Sequence, residues 1–445
     1  MENKLFSNAQ LRKMIVPLLI EQLLLMLVGM LDTIMVSSAG EAAISGVSIV
    51  NDVNNLIIQL LAAVAGGGSV VVSQFLGYGD QDRTRKSAGQ LVLVSVVISL
   101  LLGVGCFVLH RQILHALYGS VASDVFESGA VYFWITALSF PFLGAYNAAA
   151  ALYRSMGDTK ATMRVSIIMN LVNLIGNYIL IYHFHMGAAG VAWPTLASRV
   201  VAAVLMTRMA FNRNYEIFLT WKNIIQYNFR TIRQILTIAI PNGIESGLFQ
   251  LGKVLVSTFV ATYGTSQIAA NGVTNSLAVL CYATEMAMQL AIVTVVGQCV
   301  GANDYDQAKF YIRKMVTWAW VMAIVNNLAV YGISPFALKL YTLTPETLKI
   351  AQTILAMECI AVSVLHPLAF VLPTSMRAAG DAKFTMVIGV ASMFISRVAG
   401  AYLLGTVLGM GVVGTRIAMY IDWTTRILFF VWRYQSGKWM EYRVV

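Results

Sequence analysis

Apolar positions in this chain do not form the one-sided stripe of a soluble helix. They fill whole segments, as in LLIEQLLLMLVGMLDTIMV from Leu18 and LVLVSVVISLLLGVGCFVL from Leu91. About 20 consecutive apolar residues cross a bilayer as a helix. Twelve segments meet that length, near 12–36, 43–75, 87–109, 125–152, 161–183, 187–211, 234–262, 268–297, 315–334, 346–372, 384–405 and 411–432. The pattern predicts an all-α membrane protein with twelve transmembrane helices. Five prolines (Pro17, Pro141, Pro194, Pro241, Pro367) fall inside these segments and Pro373 adjoins the end of one, a habit of membrane helices.

Composition agrees with the pattern. Of 445 residues, 58% are hydrophobic and 11% charged, where soluble domains carry about 25% charged residues. The net charge of +10 is sorted by loop. One set of loops and both termini hold clusters such as Lys4/Arg12/Lys13, Arg83/Arg85/Lys86, Arg208/Arg213/Lys222/Arg230/Arg233 and Arg433/Lys438/Arg443. The alternate loops hold only Arg111, Lys339 and Lys349. This sorting predicts a cell-membrane protein with both termini in the cytoplasm, and it argues against a basic face for nucleic acid. The polar N-terminal stretch and the long run after it do not read as a cleavable signal. Cys106, Cys281, Cys299 and Cys359 lie in or beside apolar stretches without a CxxC pair, so free core thiols are expected.

The chain repeats itself about 224 residues on. Pro17-x-x-x-Glu21 returns as Pro241-x-x-x-Glu245, and Gln74-x-x-Gly77-x-x-Asp80-x-Asp82 as Gln298-x-x-Gly301-x-x-Asp304-x-Asp306. Arg154-x-x-Gly157-Asp158-x-Lys160 returns as Arg377-x-x-Gly380-Asp381-x-Lys383, and Met186-Gly187-x-x-Gly190 as Met410-Gly411-x-x-Gly414. Four ordered recurrences predict a duplication. Six spans per half make the repeats parallel: a lobe over 1–211, a polar cytoplasmic linker over 212–233 and a second lobe over 234–445. Two pseudo-symmetric lobes of this kind suit alternating access through a cavity between them. The Gly- and Asp-bearing motifs read as helix ends, with a gating role as the other reading. Neither a Walker loop nor a dinucleotide fingerprint is present, so a nucleotide is not expected as a partner.

An ionisable side chain at mid-bilayer costs roughly 2.5–3.5 kcal/mol on insertion scales, so each one asks for a partner, a wet cavity or a function. Glu21 and Asp32 are eleven residues apart and share a face of the first span. Asn51, Asn55 and Gln59 form a polar stripe on the second. The seventh carries Asn242, Ser246, Gln250, Lys253 and Ser257 beside Glu245, and the eighth Asn271, Asn275, Tyr282, Glu285 and Gln289. Such stripes line a wet path or glue helices together. Asp32 reads either as a cation site or as the partner of a base such as Arg199. Glu245 reads as a substrate or proton carrier or as half of an ion pair. Asp422 and Arg426, at i and i+4, read as a structural salt bridge. His366 reads as a hydrogen-bonded core residue or, with an ordinary pKa of about 6.5, as a proton exchanger.

Taken together, GMLDTIMVSSAG, QFLGYGD, LYRSMGDTK, VNLIGNYILIYHFHMGAAGVAWPT, IPNGIESGLFQLGKVLV, VVGQCVGANDYDQA and SMRAAGDAK resemble the multidrug and toxic compound extrusion (MATE) transporters over nearly the whole chain. The resemblance implies a monomeric antiporter in the lipid bilayer. It would export small organic cations or drugs against Na+ or H+, with no cofactor beyond that coupling ion. It further implies a cation site in the first lobe at Asp32, Asn173, Asn177 and Thr195, where Asn177 stands in place of a second acid and Na+ is a possible occupant of Asp32. In another branch of the family, acids on spans seven and ten matter. Here those positions are represented by Glu245 and His366, a pair suited to protons. Glu21, Asn51, Asn55, Gln59, Glu285 and Gln289 are further candidates for binding substrate or protons. Cation entry at Asp32 would alter packing around the first helix near Pro17 and release substrate outward. Two alternatives stay open: a flippase for a lipid-linked precursor, which would gather Arg199, Lys253 and Arg397 around an anionic headgroup, and a membrane-embedded enzyme, for which no HExxH or paired Asp motif is present.

Overall fold

A computed structural model describes residues 4–119, 121–339, 341, 343–442 and 444, with Thr33 and Ser37 described by backbone alone. Arg443, counted above among the C-terminal bases, lies outside them. The described chain is helical almost throughout, and its long helices form twelve rods. The first six are Asn8–Ser37, Glu41–Tyr78, Gln81–Tyr118, Ser123–Leu138 continued by Phe140–Ser155, Thr159–His183 and Ala189–Ala210. The second six are Phe229–Val260, Thr265–Cys281 continued by Ala283–Gly301, Tyr305–Lys339, Pro345–Ala379, Ala382–Val407 and Gly411–Gln435. A short helix, Trp221–Ile225, lies in the linker.

Among the described residues nine helices are long and apolar enough to cross a membrane, and ten when the bent pair in the fourth rod counts as one. The seventh and twelfth rods are disguised by charge: Arg230, Arg233, Glu245 and Lys253 in one, and Arg416, Asp422, Arg426 and Arg433 in the other. Two rods are broken in ways the hydropathy pattern does not show. The fourth bends by 44° at Ser139, and the eighth is interrupted at Tyr282.

The helix-end reading of the repeated motifs holds, with one shift. The left-handed residue that ends the second rod is Gly79 at φ 82°, not Gly77, and Asp80 then accepts from Arg83 N–H at 2.9 Å. In the second half the same turn uses Asn303 at φ 60°, and Asp304 accepts from Gln307 N–H at 3.0 Å.

The described chain forms two compact units, Ala9–Gly243 and the part from Ile244 onward, with residues 4–8 grouped with the latter. The first unit thus runs past the expected boundary at 234. The start of the seventh rod packs on the second and third, where Ala239 joins Val64 and Val94. A Cβ on Gly67 would meet the backbone nitrogen of Ala239 at 2.8 Å, so only glycine permits that approach. Close helix contact through small residues replaces hydrophobic driving force in lipid. In the second unit Leu355, Met419 and Trp423 centre a core shared by the eighth, tenth and twelfth rods. All four cysteines are buried free thiols.

Candidate functional site

In the first unit a cavity of about 450 Å³ opens among the first, second, fourth, fifth and sixth rods. Asp32, Asn51, Asn55, Asn173, Thr195 and Arg199 all line it. Asp32 comes from the apolar first helix, and the others project at helical spacing from their own rods. Asn177 donates to Asp32 Oδ1 at 2.8 Å. With its amide nitrogen turned to the acid, Asn173 donates to both Asp32 oxygens at 3.0 and 3.1 Å and accepts from Thr195 Oγ1 at 3.2 Å. Asn177 Oδ1 is buried and has no hydrogen-bond partner among the described residues. Among those residues Asp32 forms no ion pair, with Arg199 or any other base. The four positions expected to form a cation site therefore do meet. Gln59, one helical turn beyond Asn55, is exposed and does not line this cavity.

Glu21 has a different setting. It is 1% exposed, takes Arg154 Nη2 on one oxygen at 2.8 Å and takes the Thr162 hydroxyl on the other at 3.0 Å. Both carboxylates of the first helix thus face the fifth rod, but only Asp32 faces the cavity.

In the second unit Glu245, Glu358 and Asp422 are paired with bases. Arg377 reaches Glu245 at 3.0 Å and Arg426 reaches its other oxygen at 3.9 Å. Arg426 also holds Asp422 at 3.0 Å, the expected i, i+4 bridge, and Arg397 approaches Asp422 at 4.0 Å. Glu358 accepts from Tyr282, from Tyr420 at 2.9 Å and from Arg416 at 3.5 Å. Arg416 in turn donates to Asn271 at 2.8 Å and to Asn275, so this part of the eighth-rod stripe glues helices. No hydrogen bond joins Glu245 to His366 among the described residues. His366 instead stacks on Phe370 with centroids 4.2 Å apart, flanked by Tyr282 at 5.1 Å and Trp423 at 5.3 Å. Glu285 is fully buried, accepts from the Thr284 hydroxyl at 2.9 Å and has Oε1 without a partner. Gln289 is half-buried one turn further on.

A family model described as MatE matches the chain twice, over residues 17–179 and 241–403. The chain belongs to the MatE family. The two matches are offset by the same 224 residues as the motif repeat, so the MATE domain is present in duplicate. Among curated relatives, an uncharacterised transporter, YisQ of Bacillus subtilis, is 28% identical over 437 residues, covering 96% of this chain and 93% of its own. The probable multidrug resistance protein NorM of Thermotoga maritima is 24% identical, covering 98% and 94%. A solved outward-facing multidrug resistance MATE transporter superposes with a TM-score of 0.89 at 17% identity, over 97% of this chain and 96% of that one. Another MATE structure, in a bent conformation, gives 0.86 at 17% identity with the same coverage. The likeness to these structures establishes the twelve-helix MATE fold, and with the family match it makes the chain a multi-pass membrane transporter.

In this MATE transporter, reading the sequence without a resemblance misses most of the Asp32 site. Tyr132 lines the cavity and donates to Asn51 Oδ1 at 3.1 Å, yet nothing in its sequence surroundings marks it. A signal did exist on the fifth rod: Ser166, Asn170, Asn173 and Asn177 recur at helical spacing, and all four are buried.

Proposed function

We propose that the chain exports small organic cations or drugs in exchange for an inward Na+ or H+, with Asp32 as the coupling group. The observation that carries this reading is a carboxylate that faces a cavity inside the membrane, bound by amides and not by a base. Such a group is costly there unless its charge is used.

The geometry supplies a way to use it. Two asparagine side chains point NH2 donors at the ionised acid. A proton on Asp32 removes the charge that those donors stabilise. A Na+ ion instead calls for oxygens, and turning the Asn177 amide presents its unpartnered Oδ1 toward the same acid. Either ion breaks the present hydrogen-bond arrangement between the first and fifth rods. That change in packing is the step proposed to expose the cavity alternately to the two sides of the membrane, with both termini in the cytoplasm. Asn51 and Asn55 on the cavity wall supply neutral polar contacts for substrate.

Of the three bases that a lipid-precursor flippase would gather, Arg199 alone lines the cavity, and the setting of Arg397 supports export. A flippase needs Arg397 available to an anionic headgroup, but Asp422 and the Phe249 ring engage it. The test is efflux of a fluorescent organic cation from proteoliposomes under separately imposed Na+ and proton gradients. Asp32→Asn keeps the shape and an acceptor oxygen but loses the charge. Coupled export is expected to fall at least tenfold. Wild-type rates in Asp32→Asn under either gradient would refute the assignment.

A further inference from the structure

Arg199 departs from five other arginines that project into the helix bundle. Arg154, Arg377, Arg397, Arg416 and Arg426 each face a carboxylate, at 2.8 to 4.0 Å. Arg199 forms no ion pair among the described residues. It lines the same cavity as Asp32. Its Nη1 donates to Ser139 Oγ at 2.6 Å, and Ser139 spends its own proton on the Thr136 carbonyl at 2.6 Å. Ser139 sits at the bend between the two halves of the fourth rod, so the guanidinium is anchored on a fixed point of the wall. Tyr132 lines the cavity together with Arg199 and Asp32, which places the opposite charges on one lining surface. Neither charge meets an opposite charge in an ion pair among the described residues.

We propose that Arg199 is an anion-accepting subsite and that the cavity selects zwitterions carrying an amine or quaternary nitrogen for Asp32 and a carboxylate for Arg199. This rests on the export reading above. A guanidinium has five N–H donors in a planar fork that matches a carboxylate, and one bond to Ser139 leaves the fork available. A simple cation that enters gains Asp32 but meets an uncompensated positive charge in a low-dielectric space. A zwitterion satisfies both charges and leaves the occupied cavity neutral overall.

The test uses the full-length chain in proteoliposomes and two matched dyes: rhodamine B, a zwitterion at neutral pH, and its ethyl ester, the corresponding cation. Wild type is expected to export rhodamine B at least fivefold faster than the ester after correction for passive leak. Arg199→Gln should reverse that ratio, with rhodamine B export down at least tenfold and ester export faster than in wild type. Arg199→Lys, which keeps the charge but not the fork, should retain at least a third of rhodamine B export. Equal wild-type rates for acid and ester, or an Arg199→Gln variant that slows both alike, overturn the zwitterion subsite. Export of the ester alone by wild type overturns it too, while leaving cation export standing. Export of neither dye by folded protein overturns both readings. The wild-type ratio needs no variant, so a misfolded Arg199→Gln does not shelter the proposal.

Discussion

Arg154 donates to Glu21 at 2.8 Å across 133 residues of sequence, and the duplicated positions repeat the contact, Arg377 to Glu245 at 3.0 Å. Two motifs that recur separately along the chain are thus the two halves of one ion pair, present once in each compact unit. The first pair is buried, with the carboxylate side chain 2% exposed and the guanidinium 17%. Removing one partner takes a buried charge-assisted contact from the other. Glu21→Gln is expected to destabilise the protein by about 3–5 kcal/mol. Glu245→Gln should lose less, because its carboxylate is more exposed, Arg377 keeps its bond to Thr374 and Arg426 keeps Asp422. Thermal unfolding of the detergent-solubilised variants measures both. The double variant Glu21→Gln/Arg154→Gln should be more stable than the sum of the singles, and strict additivity would show that the pair does not act as a unit.

Asn177 stands where the resemblance implies an acid, and its Nδ2 is 2.8 Å from Asp32. Asn177→Asp exchanges a donor for a second carboxylate at that distance. Two carboxylates so close hold a cation or a shared proton between them, and hard-cation affinity rises with ligand charge. The Na+ concentration for half-maximal export, titrated at fixed pH, is expected to fall about tenfold. An unchanged Na+ response would separate Asn177 from ion coupling.

Much of this architecture was legible because bilayer spans, loop charge and a 224-residue repeat are properties of sequence alone. Partner choice was not. The asparagines at 51 and 55 and those at 271 and 275 look alike in sequence, each pair one helical turn apart. One pair lines a cavity and the other is consumed by Arg416, because a base happens to face it from the twelfth rod. Asp32 and Glu245 were both open to either an ion-pair or a coupling reading. What divides their settings is whether an arginine from another rod reaches the carboxylate. The bend at Ser139 goes with Pro141 two residues on, one of the prolines visible within the spans, whereas the break at Tyr282 has no proline or glycine beside it to mark it.

The paired turns at Gly79 and Asn303 give a test of the duplication at the level of backbone. Both residues are left-handed, at φ 82° and φ 60°, and no atom lies within 4 Å of a Cβ built on Gly79. Conformation is therefore the constraint there, not space. Gly79→Asn, which copies the second half, should be close to neutral. Gly79→Val should lose about 1–2 kcal/mol, the left-handed penalty of a branched residue. Unfolding midpoints for the two variants compare them directly, and equal losses would mean that the turn is not maintained in solution.

His366 is 7% exposed, stacked on Phe370 and enclosed by Tyr282 and Trp423, with Nδ1 lacking a hydrogen-bond partner among the described residues. A proton carrier needs a route for the proton and a group to pass it to, whereas this ring is surrounded by other rings. Its packing role requires a flat aromatic of similar size. His366→Phe is therefore expected to retain export within twofold, with an unchanged dependence on external pH. His366→Ala should open a cavity and lose roughly 2–4 kcal/mol of stability. The decisive measurement is the pH profile of export in proteoliposomes for His366→Phe. A flattened profile in a variant that unfolds at the wild-type temperature would restore His366 to the coupling pathway, since packing alone leaves that profile untouched.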